Sequence, residues 1–288
     1  MVRARACFDE RSPSFLRCVA TSLRFDASAD HAGGADRAVV EPSLLHLRHL
    51  WNLWFTPLPR SGLSSAAMSR FLVIAPHPDD AELGMGGTLL RLHQQGHAVH
   101  ILDMTNGEPT PRGDPVTREK EWTEATGILG VTRSNLGLTN RQVTHDLRSR
   151  HALAAVIRQH RPNALFVPYA PDAHPDHVAV TRIAEDARFD AKLTKTDIPG
   201  EPWHPKRIIY YFCTHLRLNV EPTFCIDITE QIERKFQAVD AYRSQINDEL
   251  VNMVRTFNGY FGGRIGTRYA EPFYTHEVLG LGGLDQLV

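Results

Sequence analysis

Phe71–Leu90 reads FLVIAPHPDDAELGMGGTLL. Its first five residues, Phe71 to Ala75, form a continuous apolar run, the pattern of a parallel strand buried on both faces. A turn crowded with ligand-type side chains follows: His77, Pro78, Asp79, Asp80 and Glu82. Gly84, Gly86 and Gly87 then lead into a helical pattern at Leu89, Leu90 and Leu92. Strand, polar loop and helix, in that order, place those side chains at the carboxyl end of a sheet strand, where open α/β sheets bind their ligands. A second cluster, His174-Pro175-Asp176-His177, follows another apolar run at Ala164–Pro168. The two clusters are expected to meet around one metal ion.

Outward from this stretch a βα rhythm sets in. Strand-like runs fall at Phe71–Ala75, Ala98–Met104, Ala164–Pro168, Arg207–Phe212 and Thr223–Ile228, with a short one at Asn135–Leu138. Helical patterns occupy about 86–95, 117–129, 145–160, 177–188, 229–244 and 247–260. Strands alternating with helices imply right-handed crossovers and a mostly parallel sheet with helices on both faces, in a single α/β domain. Gly96 and Gly130 stand where helix C-termini need them. The Asn106–Pro115 loop follows a strand and should overhang the same face as His77.

Upstream, residues 1–67 contain Arg but no Lys and show no sustained hydrophobic period. They are expected to be an extension, disordered or an over-long start, with the functional domain running from Met68 to 288. Ser43–Phe55 has the look of a short amphipathic helix, too short and too polar to span a bilayer. The start lacks the features of a secretory signal, so a cytoplasmic protein is expected. The 288 residues, 42% hydrophobic and 23% charged, suit one sizeable core. A formal net charge of −1 gives no global attraction for nucleic acid. The four cysteines share no CxxC spacing, which argues against a zinc ribbon or a redox pair. Cys213 and Cys225 sit in apolar runs and read as core residues.

The chemistry of the clusters follows from residue type. Imidazole and carboxylate are ordinary ligands of a borderline cation, and a catalytic site needs about three of them plus an open position. In the first turn entering a helix, i and i+3 share a face, so His77 and Asp80 can converge. Asp79 would then point elsewhere and be free for proton transfer. A capped turn is the competing reading of HPDD alone, since Asp at a strand-to-helix junction is a common N-cap. The second cluster tips the balance: His174 and His177 are again i, i+3, again after a buried strand. One of its histidines completes a set of three ligands, and the other is left to donate to a developing oxyanion.

AHPDDAE followed by GMGG, together with HPDH, resembles the signature of the PIG-L/LmbE-like family of metal-dependent N-deacetylases. The resemblance runs from about Phe71 to Leu281. GMGGTL, FCIDIT at 224–229, AYRSQ at 241–245 and RIGTRYAEPF at 264–273 make it closest to the branch of bacillithiol biosynthesis deacetylases. It implies a Rossmann-like fold, metal ligands His77, Asp80 and His177, Asp79 as general base toward the attacking water, and His174 at the oxyanion. Zn²⁺ is the implied metal, with Fe²⁺ an alternative. Whether Asp79 or His174 protonates the leaving amine stays open.

Further residues are candidates of a second rank. Arg118 matches a position where relatives carry an arginine near the sugar, with a solvated helix residue as the other reading. Asn140 and Arg141, after the short strand, are similar substrate-side candidates. Asp176 would orient His77 or His174 from behind, or serve as an N-cap. Glu82 reads as a bracing group. The substrate implied is an N-acetylglucosaminyl small molecule such as GlcNAc-malate, and relatives suggest a homo-oligomer. Ala173 stands where bacillus-type relatives carry Arg, which bears on the substrate rather than on the deacetylation. Rival readings are a deacetylase of another amino-sugar or of a secondary-metabolite amide, and a metal-binding sensor without turnover. The glycines do not form GxGxxG, so no dinucleotide is implied.

Overall fold

The run at Phe71–Ala75 forms strand β1 (Arg70–Ala75), and its alternate side chains enter two different cores. Leu72 and Ile74 join one cluster, Val73 and Ala75 the other, all fully buried. Both faces of the strand are therefore covered, as an uninterrupted apolar run requires. A computed structural model describes residues 68–219 and 221–283 of the chain. The 1–67 extension and the short helix expected at Ser43–Phe55 lie outside the described residues.

Six more strands complete one sheet: β2 (Ala98–Thr105), β3 (Thr132–Leu138), β4 (Ala164–Pro168), β5 (Arg207–Tyr211), β6 (Phe224–Asp227) and β7 (Ala270–Tyr274). Their order is β3-β2-β1-β4-β5-β7-β6. The strands from β3 to β5 in that order pair in parallel, while β7 runs antiparallel to both β5 and β6. The helices are α1 (Asp80–Gln94), α2 (Pro115–Leu129), α3 (Leu147–His160), α4 (Pro175–Asp190), α5 (Ile232–Asp240) and α6 (Asp248–Arg264). α3 and α4 cover one face through Leu153, Ile157, Val180 and Ile183. α1 covers the other through Ala81, Met85 and Leu89. This is the Rossmann-like α/β domain expected. Among the described residues no helix is long and apolar enough to cross a membrane.

Two elements depart from the sequence reading. β7 was not among the expected strands, because Pro272 at its centre lacks the N–H that a ladder uses. It is tolerated because β5 pairs only with Phe273 and Tyr274, so that at Pro272 the strand is flanked by β6 alone. α1 begins at Asp80 rather than near Gly86, and its backbone breaks at Met85 (φ −148°, ψ 22°). Gly84 sits just before the break and lies so close to β5 that a Cβ would come within 2.5 Å of the Tyr211 ring.

The backbone groups at the break are satisfied by residues far along the chain. Lys235 Nζ donates to the Leu83 carbonyl (2.9 Å) and to Asn258 Oδ1 (3.0 Å). The Glu271 carboxylate accepts from the N–H groups of Gly87 (2.9 Å) and Thr88 (2.7 Å). Lys235 and Glu271 also pair with each other at 2.7 Å, both fully buried. Breaking such a pair leaves one uncompensated charge in the core. Lys235→Met is expected to destabilise the fold by about 3–5 kcal/mol, measured by urea unfolding. The Lys235→Met/Glu271→Gln double variant should lose less than the sum of the two single changes. Additive losses would mean that the two groups are not coupled.

Candidate metal centre and its cavity

β1 and β4 are parallel neighbours, with Phe71 opposite Ala164 and Val73 opposite Phe166. The HPDD and HPDH loops leave the same ends of these adjacent strands. Since β2 lies on the other side of β1, the crevice between the loops is the switch point of the sheet.

His77, Asp80 and His177 come together there, with one ligand atom from each lying within 4.8 Å of the others. Asp80 Oδ2 accepts from the His77 backbone N–H (3.0 Å) and lies 3.2 Å from His77 Nδ1 and 3.2 Å from His177 Nε2. Thus the i, i+3 pair does converge across the first turn. The far nitrogen of each ring meets a second carboxylate. His77 Nε2 is 3.2 Å from Asp176, and His177 Nδ1 is 2.8 Å from Asp172. Those outer contacts fix which nitrogen faces Asp80. His177 Nε2 is fully buried and, although 3.2 Å from Asp80, makes no well-aligned hydrogen bond. An unsatisfied buried nitrogen costs about 1–3 kcal/mol, and a cation between the two imidazoles and Asp80 would satisfy it. The donor set of two imidazoles and one carboxylate suits a borderline divalent ion with a position left open.

The charges are strongly shifted. Burial works against a proton on His77, yet hydrogen bonds with Asp176 and Asp80 prevail and push it up to about 9. Burial likewise opposes His177, but Asp80 and Asp172 push it up to about 10. Burial would raise Asp80, whereas the two histidines hold it well below the usual carboxylate range. Asp79 is pushed up to about 7 by burial and then by the neighbouring Asp80 charge, with Arg118 and His77 opposing.

Asp79 adopts φ 114°, a left-handed value that is costly for a non-glycine residue. Its side chain lines the cavity beside the ligand group, 3.5 Å from Arg118 Nη1. His174 is the residue preceding α4, and its Nδ1 accepts from the Asp176 N–H (3.2 Å), so Nε2 carries the proton of the neutral ring. Burial and the neighbouring histidines keep its pKa low. Asp176 is not the cap of α4. It accepts from the backbone N–H of Arg141 (2.6 Å) and Val143 (3.3 Å) while facing His77.

Of the second-rank candidates, Arg118, Asn140 and Arg141 line the cavity. Arg118 is buried, and its Nη2 donates to the Pro78 carbonyl (2.7 Å), bracing the HPDD turn from below. Asn140 Nδ2 donates to the Gly107 carbonyl (2.7 Å) and so holds the loop after β2. Arg141 supplies its backbone to Asp176 from a left-handed conformation (φ 62°). Glu82 is a bracing group, tied to Arg133 (2.5 Å) and to the Tyr242 hydroxyl (2.9 Å).

Two residues escaped the sequence reading. The Asp172 side chain is fully buried, and it accepts from the N–H groups of His174 (3.0 Å) and His215 (3.1 Å) besides facing His177. Burial would raise it, but these partners hold it well below the usual range. The signal was there in Asp172-Ala173-His174-Pro175-Asp176-His177, a third carboxylate in one loop. Cys213 Sγ donates to Asp80 Oδ1 (3.2 Å), and burial keeps the thiol protonated. Nothing in its apolar surroundings in the sequence marked it.

Asp172→Asn, with the fold intact by circular dichroism, should weaken Zn²⁺ affinity about 10–100-fold. An unchanged affinity in competition with a chromophoric chelator would mean that Asp172 does not orient His177. A second expectation concerns protons. The pKa values of His77 and His177 lie above 7, so both rings are charged in the metal-free protein at pH 7, and ligation must displace those protons. Affinity should therefore rise as the pH increases towards 9, with proton release seen by calorimetry in buffers of different ionisation enthalpy. Binding without proton release would show that the rings are already neutral.

With this geometry in view, comparison with known proteins gives a consistent result. Residues 72–188 match the family model described as PIG-L: GlcNAc-PI de-N-acetylase. The diacetylchitobiose deacetylase of Thermococcus kodakarensis is 28% identical over 225 residues, covering 71% of this chain and 82% of the relative. The probable N-acetyl-alpha-D-glucosaminyl L-malate deacetylase 2 of Bacillus anthracis is 24% identical over 221 residues, covering 71% and 94%. The crystal structure of the conserved protein TT1542 from Thermus thermophilus superposes with a TM-score of 0.70 at 39% identity, covering 75% of this chain and 98% of that one. The two clusters at the ends of β1 and β4 thus belong to a member of the PIG-L family of de-N-acetylases.

Proposed function

We propose that the chain is a metal-dependent hydrolase that removes acetyl from an N-acetylglucosaminyl small molecule, with Zn²⁺ as the resident ion and Fe²⁺ as the alternative. The observation that carries this reading is the spare carboxylate. Asp79 lies beside the ligand-type group in the same cavity without belonging to it. A protein that only binds a metal has no need of such a residue, which weighs against a sensor. The substrate class draws on the relatives named for diacetylchitobiose and for N-acetylglucosaminyl malate. GlcNAc-malate is the benchmark compound of the bacillithiol-type reading, and another acetylated amino-sugar is the second reading.

In this assignment His77, Asp80 and His177 hold the cation. When bound, it would lower the pKa of a ligated water and polarise the acetamide carbonyl. Asp79, its pKa near neutrality, takes a proton from the attacking water as general base. Addition to the acetamide carbon places negative charge on the carbonyl oxygen, and His174 donates a hydrogen bond to it. Collapse breaks the C–N bond, the amine nitrogen takes up a proton, and acetate and a free amine result. Asp79 and His174 are the two groups within the site that can supply that proton. Arg118 would act on the substrate side chiefly by fixing the HPDD turn, with Asn140 and Arg141 shaping the rim.

Asp79→Asn is expected to lower kcat by at least about 100-fold while leaving metal content unchanged, read from primary amine released by the Zn²⁺-loaded protein from a panel of N-acetylated amino-sugars including GlcNAc-malate. His174→Ala should give a loss of similar size. Full activity in Asp79→Asn would remove the general-base assignment. A metal-replete wild-type protein that releases amine from no member of the panel would favour the sensor.

A further inference from the structure

The cavity that holds the metal-ligand group is about 1300 Å³, above the roughly 300–1000 Å³ of an ordinary small-molecule site. A single hexosamine leaves most of it unfilled. One end is polar, with His77, Asp79 and His174. The lining also includes Leu216, Met253, Phe257 and Tyr260. These four are 39%, 39%, 40% and 61% exposed, an unusual state for large apolar side chains gathered in one place.

The two ends are physically continuous. In the loop after β5, Cys213 donates to Asp80 and the His215 N–H to Asp172, and the next residue, Leu216, is already part of the apolar wall. Arg217 then reaches Met253 Sδ (2.9 Å) and ties this loop to α6. On α6, Met253, Phe257 and Tyr260 follow the spacing of a single helical stripe. The adjoining stripe supplies Val254 and Phe261, which are buried. Both stripes line the cavity, the buried one at its base and the exposed one open to it. Of the arginines lining the cavity, Arg118 is engaged with Pro78 and Asp79, Arg217 rests on the Met253 sulfur, and Arg141 is exposed at the rim. The wall is mainly apolar, with the Arg217 guanidinium lying against it at Met253.

We infer that the group attached to the acetamido sugar is apolar, an alkyl or aryl aglycone lying along Leu216, Met253, Phe257 and Tyr260. The inference rests on the deacetylase reading above and narrows its substrate away from an anionic malyl group.

Deacetylation of methyl, n-octyl and phenyl N-acetyl-β-glucosaminide and of GlcNAc-malate would be compared as kcat/KM, with the octyl compound below its micellar concentration. The octyl or the phenyl compound should exceed both the methyl and the malyl compound by about tenfold or more, as burial of several methylene or ring carbons implies. An octyl preference alone assigns an aliphatic group, and a phenyl preference alone an aromatic one. Phe257→Ser should collapse the apolar-to-methyl ratio, whereas Val278→Ser, at an exposed site outside the cavity, should leave it unchanged. Equal rates, or malate fastest, would overturn this inference and leave the deacetylase intact. Sedimentation showing that Phe257→Ser splits an oligomer, with the ratio unmoved, would assign the stripe to a second copy instead. Hydrolysis of none of the compounds would overturn the deacetylase reading, and this one with it.

Discussion

Everything at the candidate centre depends on the lateral pairing of β1 with β4. These strands are neighbours in space although 93 residues separate Phe71 from its partner Ala164, as their numbers give. The pairing brings the ends of two apolar runs side by side and so places a His-x-x-Asp turn against a His-x-x-His turn. Neither loop alone assembles the group: His77 and Asp80 come from the first, His177 from the second. The register is enforced from both faces, since a slip of one residue would exchange Leu72 and Ile74 with Val73 and Ala75 between two filled cores.

Around this pairing the protein surrounds its ligand-type side chains with a second layer of fixed charges. Asp176 and Asp172 each hold one imidazole, and each is itself held by two backbone N–H groups. Arg118 supports the turn from beneath, and Arg133 gathers Glu82 and Asp103 with its own side chain fully buried. Such an arrangement holds the rings in place through covalent neighbours and buried partners.

What was legible in the sequence divides along a physical line. Apolar runs and i, i+3 ligand pairs are local, and they sufficed for the parallel strands, for the α/β class and for bringing the HPDD and HPDH clusters together, while the choice of His177 came from the family resemblance. Contacts made only on folding left no local trace. Cys213 reads as one more apolar residue until β5 delivers it to Asp80, and nothing local marks Lys235 as the fully buried cation it becomes. Pro272 concealed β7 because its tolerance depends on how far β5 extends. Arg118, placed near the sugar by the family resemblance, lines the cavity and also bonds the Pro78 carbonyl, a contact that no local pattern announces.

The break in α1 at Met85 has an electrical consequence. A continuous helix of this length would direct the positive end of its dipole at the HPDD carboxylates. Here the N–H groups that open the longer, second segment are taken by Glu271, so the dipole of that segment terminates on a buried carboxylate near mid-helix. Asp79 and Asp80 are left with the field of little more than one turn. The helix is divided into a short piece that presents ligands and a long piece that packs, and the charge balance of the centre is screened from the packing element on which it is mounted.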